Sequence, residues 1–196
     1  KFLGRGRKPA EEFEESAAEI VAFDSASQLS FVVNAQSGNV DIFSMAAPVS
    51  PTFDSSLEVA ADIASNVVAV GDASELGAVN SVAVHGASNT LAVAIEADTK
   101  QDNGYVAFYQ ASDGTFLSAV AAGALPDMVT FTPDGNKVLV ANEGEPNGAY
   151  TVDPEGTVSV IDMSAGAAAV TDADVTSINF QAFNGSDMGD VRVFGP

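Results

Sequence analysis

The sequence predicts an all-β fold built from repeated four-stranded antiparallel units, and three observations carry that prediction. Short apolar runs rich in Val, Ala and Phe stop at Gly, Asp, Asn or Ser along the whole 196 residues. That is the pattern of half-buried strands between turns. Helix signals are poor, with little Leu and only seven Lys and Arg. Finally, one hairpin recurs three times in register.

The recurring hairpin reads "EIVAFDSASQLSFVVNA", "NSVAVHGASNTLAVAIE" and "DMVTFTPDGNKVLVANE". Val21, Val82 and Val129 align, as do Phe23, Val84 and Phe131. Eleven residues after the latter three come Asn34, Ile95 and Asn142, with no gap. A further strand follows each hairpin after a variable loop: "GNVDIF", "GYVAFY" and "GTVSVI", with Val40, Val106 and Val158 in one position. The units are offset by 61 and then 47 residues. A repeat of this length with four strands is a β-propeller blade. An ordinary β-sandwich with coincidental similarity is the alternative that the residues leave open.

The elements follow in order. Unit one, about 16–60, has strands at 19–24, 29–34 and 39–45. Unit two, about 79–121, has strands at 80–84, 90–95, 105–110 and 115–120. Unit three, about 126–183, has strands at 128–132, 137–142, 157–162 and 177–183. The last of these alternates Ile178, Phe180 and Ala182 against Asn179, Gln181 and Phe183. "SDG" (112–114) and "PDG" (133–135) supply tight turns. "GDVRVFGP" at the end reads as the start of a next segment, and "KFLG" as a possible outer strand of a missing blade. Three units are expected to be part of a ring of about seven, since open blade edges expose unpaired strands.

Charge and composition narrow the function. The net charge is −20, from 27 acidic and 7 basic residues, four of the latter within the first eight positions. Such a surface repels nucleic acid and anionic membranes and attracts cations. With no Cys there is no disulfide framework and no thiolate metal site. No run of 18 apolar residues predicts a membrane-spanning helix, and the N-terminal stretch lacks an apolar core of signal-peptide length. No G-x-S-x-G, P-loop, Rossmann fingerprint, EF-hand or His-rich motif is present. Ser16 has no nearby His, and His85, the sole histidine, is expected in a turn without a role.

The repeat brings distant acids together. In a blade the first strand is innermost and the second runs back beside it, so the start of one and the end of the other meet at one mouth of the ring. Glu19, Asn80 and Asp127 start the first strands; Glu96, Asn142 and Glu143 end the second strands. The loop at 143–156 adds Glu145, Asp153 and Glu155, and the loop at 96–104 adds Asp98 and Asp102. Crowded carboxylates repel unless a cation intervenes. Oxygen ligands of this kind suit Ca2+, not zinc. A solvated acidic loop face is the alternative.

"ESAAEIVAFD" (15–24), "VNSVAV" (79–84), "LPDMVTFTPDGNKVLVANEGEP" (125–146), "YTVDPEGTVSVID" (150–162) and "VRVFGP" (191–196) together resemble the choice-of-anchor I propellers. Those are related to mesenchyme-specific cell-surface glycoproteins and to some large bacterial alkaline phosphatases. "VLVANEG…GTVSVID" is also similar to a blade of the surface-layer YVTN propellers, and "ESAAEIV" more loosely to calcium-dependent propeller phytases. The resemblance implies a secreted or surface-bound propeller within a larger protein, with calcium-linked surface roles or phosphomonoester hydrolysis.

Three functions follow as expectations. The first is a non-catalytic, acidic, Ca2+-binding propeller of the cell surface or extracellular matrix, with surface or matrix proteins or its remaining blades as partners. A second is a Ca2+-dependent phosphoesterase, which normally uses Arg or Lys to hold the oxyanion. The third is an accessory subunit of a larger assembly.

Overall fold

A computed structural model describes residues 18–67 and 70–183, together with 185 and 189. Within them the chain forms three four-stranded antiparallel sheets, each from consecutive strands. Blade 1 holds β1 (Ala18–Asp24), β2 (Leu29–Asn34), β3 (Asn39–Ser44) and β4 (Thr52–Leu57). A short helix, α1 (Val59–Asn66), leads to blade 2. That blade holds β5 (Leu76–His85), β6 (Thr90–Ala97), β7 (Asn103–Gln110) and β8 (Phe116–Ala124). Blade 3 holds β9 (Pro126–Phe131), β10 (Lys137–Asn142), β11 (Thr157–Asp162) and β12 (Val175–Ile178).

The blades stack with their first strands side by side. β1 lies beside β5, and β5 beside β9, which makes these the inner strands of a propeller arc. Blade 2 is covered on both sheet faces. Val82, Leu91, Val93 and Tyr109 pack on Phe31, Val33 and Ile42 of blade 1. On the other face Ala92, Ala94 and Phe108 pack on Val129, Val138 and Val140 of blade 3. Strand alternation produces this: odd and even positions of one strand serve two different joints.

Local chemistry sets the hairpins. Asp24 ends β1, and its carboxylate accepts the Ser27 N–H at 2.8 Å and the Ala26 N–H at 3.4 Å. In blade 3 the turn needs Gly135, whose φ is +71°. Its Cα also approaches the His85 ring so closely that a Cβ would sit 2.3 Å from the ring. His85 therefore does not stand idle in a turn. It ends β5, accepts or donates at Nδ1 with Ser88 Oγ (2.8 Å), and stacks on Phe131 at 5.6 Å across the joint of blades 2 and 3.

Several boundaries differ from expectation. The 177–183 strand is not formed: β12 covers Val175–Ile178, and Gln181–Phe183 is a 3-10 turn. The Asn179 side-chain oxygen accepts the Gln181 N–H at 3.3 Å, and this turn competes with the strand. Its alternating pattern has no strand to read it. Instead Val175 pairs with Ile161 and packs against the joint between blades 2 and 3. β5 starts earlier than the sequence pattern indicates, and β8 runs on to Ala124. The helix α1 is not expected from the sequence. Val59 and Ile63, one turn apart, are buried between blades 1 and 2, and the Tyr109 hydroxyl donates to Asp62 at 3.1 Å. Burial of that face, not intrinsic propensity, holds an eight-residue helix. The segments 1–4 and 190–196 lie outside the described residues.

Candidate functional site

The inner hairpin of every blade carries a register irregularity at the same end. In blade 1 the pairing runs Ala18 with Asn34, then jumps to Val21 with Val32. In blade 2 Val79 pairs Ile95 and Ser81 pairs Ala94, leaving Asn80 as the extra residue. In blade 3 Pro126 pairs Asn142 and Met128 pairs Ala141, leaving Asp127 extra. Glu19, Asn80 and Asp127 thus occupy one repeated β-bulge position. A bulge re-aims a side chain and interrupts the ladder, and such features gather beside binding sites. Sequence register aligned the three residues; the bulge itself carries no signal short of the pairing.

Around the bulges the predicted residues separate into groups. Asn80 and Glu96 come together: the Asn80 amide donates to Glu96 Oε2 at 3.1 Å and to the Pro126 carbonyl at 3.2 Å, tying blade 2 to blade 3. Glu96 is only 7 % exposed, so this amide satisfies a buried carboxylate. Gly104 permits the close approach, since a Cβ there would lie 2.4 Å from the Ile95 carbonyl and 2.7 Å from Pro126. Glu19, Asp127, Glu143 and Asp153 are exposed and make no side-chain hydrogen bond or ion pair among the described residues. Glu145 pairs loosely with Lys100 at 4.0 Å, and its carbonyl accepts from Gln101 at 3.0 Å, joining the two long mouth loops. Glu155 accepts a hydrogen bond from Gln181.

Asn142 is directed elsewhere than the mouth. It is buried, and its Nδ2 donates to Thr157 Oγ1 (3.0 Å) and Ser159 Oγ (2.9 Å) on β11. Its Oδ1 is buried with no hydrogen-bond partner. Among the described residues no three of the His, Asp and Glu side chains converge in a way that could hold a metal ion. The described residues therefore do not by themselves form a closed Ca2+ cage.

Acids at the opposite end of the blades have a different occupation. Asp24, Asp113, Asp134 and Asp162 all sit at turns there, each closing its own loop. The Thr132 hydroxyl, with the Asn136 N–H and side chain, holds Asp134 down to about 2. Ser27 lowers Asp24, the Thr115 N–H lowers Asp113, and Ser164 lowers Asp162. The far-end carboxylates are consumed by structure; at the mouth end Glu96, Glu145 and Glu155 are engaged, whereas Glu19, Asp127, Glu143 and Asp153 have no side-chain partner among the described residues.

Two features of the mouth end have no clear mark in the sequence. Ser81 Oγ accepts the Val129 N–H at 3.2 Å, a buried tie between inner strands β5 and β9. The one available hint is a polar residue interrupting "NSVAV". A cleft of about 330 Å3 is lined by Glu75, Asp98, Asp102, Asn103 and Tyr105. Burial, then the negative charges of Asp172 and Glu75, push the Tyr105 hydroxyl up.

This architecture is that of known propellers. The chain is similar to hydrazine synthase of Kuenenia stuttgartiensis, with a TM-score of 0.56 and 15% identity, over 83% of this chain and 37% of that one. It is also similar to a periplasmic gluconolactonase of Pseudomonas aeruginosa, with a TM-score of 0.56 and 14% identity, over 81% and 39%. The chain spans less than two fifths of the length of either structure. At such identities the likeness is one of fold. No curated protein matches the sequence. The model of the choice-of-anchor I domain matches residues 19–192, which run through all three blades, and the chain belongs to the choice-of-anchor I family.

Proposed function

We propose that this chain is part of a non-catalytic, acidic β-propeller module, secreted or displayed at the cell surface, whose mouth end binds divalent cations, Ca2+ foremost, and presents its loops to surface or matrix partners. The division of labour between acids is the observation that carries it. Far-end aspartates close turns, whereas Glu19, Asp127, Glu143 and Asp153 at the mouth end have no side-chain partner among the described residues. Family membership supports the surface placement. No helix among the described residues is long and apolar enough to cross a membrane.

Since no three acids converge among the described residues, the cation is held openly, by few carboxylates at a time, with an affinity of about 10⁻⁴–10⁻³ M, as in extracellular calcium modules. Calorimetric titration of Ca2+ into the protein tests this. Glu19→Gln, Asp127→Asn and Glu143→Gln combined should abolish most of the binding heat, and Asp134→Asn should leave it. Equal heats for the two variants would refute the reading. A non-catalytic module also leaves a chromogenic phosphate monoester intact; turnover lost on adding a chelator would replace this reading with the phosphoesterase one.

A further inference from the structure

The joint between blades 1 and 2 and the joint between blades 2 and 3 are built alike but filled differently. In the repeat register, Ile95, Tyr105 and Ala107 of blade 2 correspond to Asn142, Thr157 and Ser159 of blade 3. Strand pairing puts each trio on the sheet face turned to the preceding blade. At the first joint this place is sealed. Ile95 and Ala107 are fully buried in one cluster with Val59 and Ile63 of α1, which lies in the connection from β4 to β5. The connection from β8 to β9 is Leu125 alone, so no helix can seal the second joint. A cleft of about 370 Å3 remains there, and its walls are the facing sheets of blades 2 and 3.

The blade 2 wall, Ala121–Ala124, is small and apolar. A Cβ at Gly123 would lie 2.8 Å from Asn142 Cγ and from Thr157 Oγ1, so glycine lets the two sheets meet there. The blade 3 wall is polar. Thr157 and Ser159 accept from Asn142 Nδ2, and their hydroxyl protons, like that of Ser177, find no acceptor among the described residues. Asp172 Oδ1 takes the Ala121 N–H and Glu155 Oε1 takes Gln181, which leaves each carboxylate a second oxygen. Asn142 Oδ1 is buried without a partner. In blade 1 the Ser37 N–H satisfies the equivalent Asn34 Oδ1 at 3.2 Å; the longer loop after Asn142 returns no such donor. Unmet donors and unmet acceptors thus line one cleft. A metal ion or an ammonium group offers no acceptor to the hydroxyl protons, and an anion would meet two carboxylates. A ligand hydroxyl both gives and takes. The volume is at the lower end for small-molecule sites. We propose that this cleft binds a neutral, monosaccharide-sized polyhydroxy ligand, free or as the end of a glycan. Its C–H face lies on Ala121–Ala124, and its hydroxyls meet Thr157, Ser177, Glu155 and Asp172. This inference does not rest on cation binding.

Amide shifts in nuclear magnetic resonance test it, with chelator present. Glucose, galactose, mannose and N-acetylglucosamine are titrated singly, and a glycan array displays the same sugars as chain ends. At least one sugar should move the Ala122, Gly123 and Ser159 amides saturably, with a Kd of about a millimolar, while Val93 in the other joint stays still. Shifts with a free sugar identify a free ligand as sufficient; binding on the array alone identifies a glycan end. Asn142→Ile combined with Ser159→Ala restores the apolar pattern of blade 2 and should weaken binding at least about tenfold with the rest of the spectrum unchanged. Ser177→Val, on an edge strand that accepts a β-branched residue, should weaken it severalfold, and Asp134→Asn should leave it intact. No response to any sugar in either format overturns the proposal, and the cleft then holds water. So does binding that survives both cleft variants. Shifts of these amides by methylammonium and not by sugars would equally overturn it, since the carboxylates alone would then make the site.

Discussion

Asn142 shows how far a repeat can be trusted at a single position. Its register partners are Asn34 and Ile95. An isoleucine in that slot marks it as a buried one, and the structure buries all three. The sequence placed Asn142 at the mouth because the chain ends a strand there, but alternation turns the side chain into the joint. In blade 2 the same environment is apolar, with Ile95 and Ala107 where blade 3 has Asn142 and Ser159. Asn142→Ala leaves Thr157 and Ser159 without their donor and should cost about 1–3 kcal/mol in chemical denaturation. Asn142→Ile combined with Ser159→Ala removes the unpaired Oδ1 as well and should be neutral or stabilising. Asp134 supplies a pH-dependent case. Its carboxyl is held at about 2 by Thr132 and Asn136, below the unfolded value of about 3.9. A depressed value stabilises the fold above the unfolded pKa, and that contribution is lost as pH falls through the folded one. The melting temperature of the wild type should therefore exceed that of Asp134→Ala at pH 7, and the gap should narrow from about pH 4 to pH 2.

At the scale of elements, the first three strands of each blade were legible, and of the fourth strands only that of blade 2, β8, was. β1, β2, β6, β9 and β10 follow the repeated hairpin because each strand alternates between two joints, which imprints a pattern on sequence. The fourth strands are held by what crosses them. In blade 2 the edge strand β8 is strapped by the connection between β11 and β12 of blade 3. Ser118 Oγ donates to the Ala167 carbonyl at 2.6 Å, and the Ala121 N–H donates to Asp172 Oδ1 at 2.8 Å. Met163, Ala167 and Val170 of the strap are buried in the same joint. The strap blunts an edge that would otherwise offer unpaired backbone groups. Nothing in "AGAAAVTDAD" announces that role, since its contacts are to residues some fifty positions away. Asp172→Ala should cost about 0.5–1.5 kcal/mol, and hydrogen exchange at the Ala121 amide should quicken while that at Val93 in β6 stays slow.

For the whole molecule, the repeat predicted the arrangement and the pairing explains it. Three blades share one sequence register, one order of strands and one bulge at the mouth end. That bulge turns a loose alignment of Glu19, Asn80 and Asp127 into a structural equivalence. The expected gathering of the acids about one ion is not seen among the described residues, because it depends on side-chain directions that register alone does not set. The absence of cysteine makes the arrangement directly measurable by paired spin labels. Labels introduced by Glu19→Cys and Asp127→Cys should lie two blade spacings apart, about 20 Å, given sheets packed about 10 Å from one another. Moving the second label to the far end with Asp134→Cys adds roughly a strand length and should lengthen the distance to about 30 Å. A Glu19–Asp127 distance equal to or longer than the Glu19–Asp134 distance would contradict a shared mouth, and with it the propeller arc.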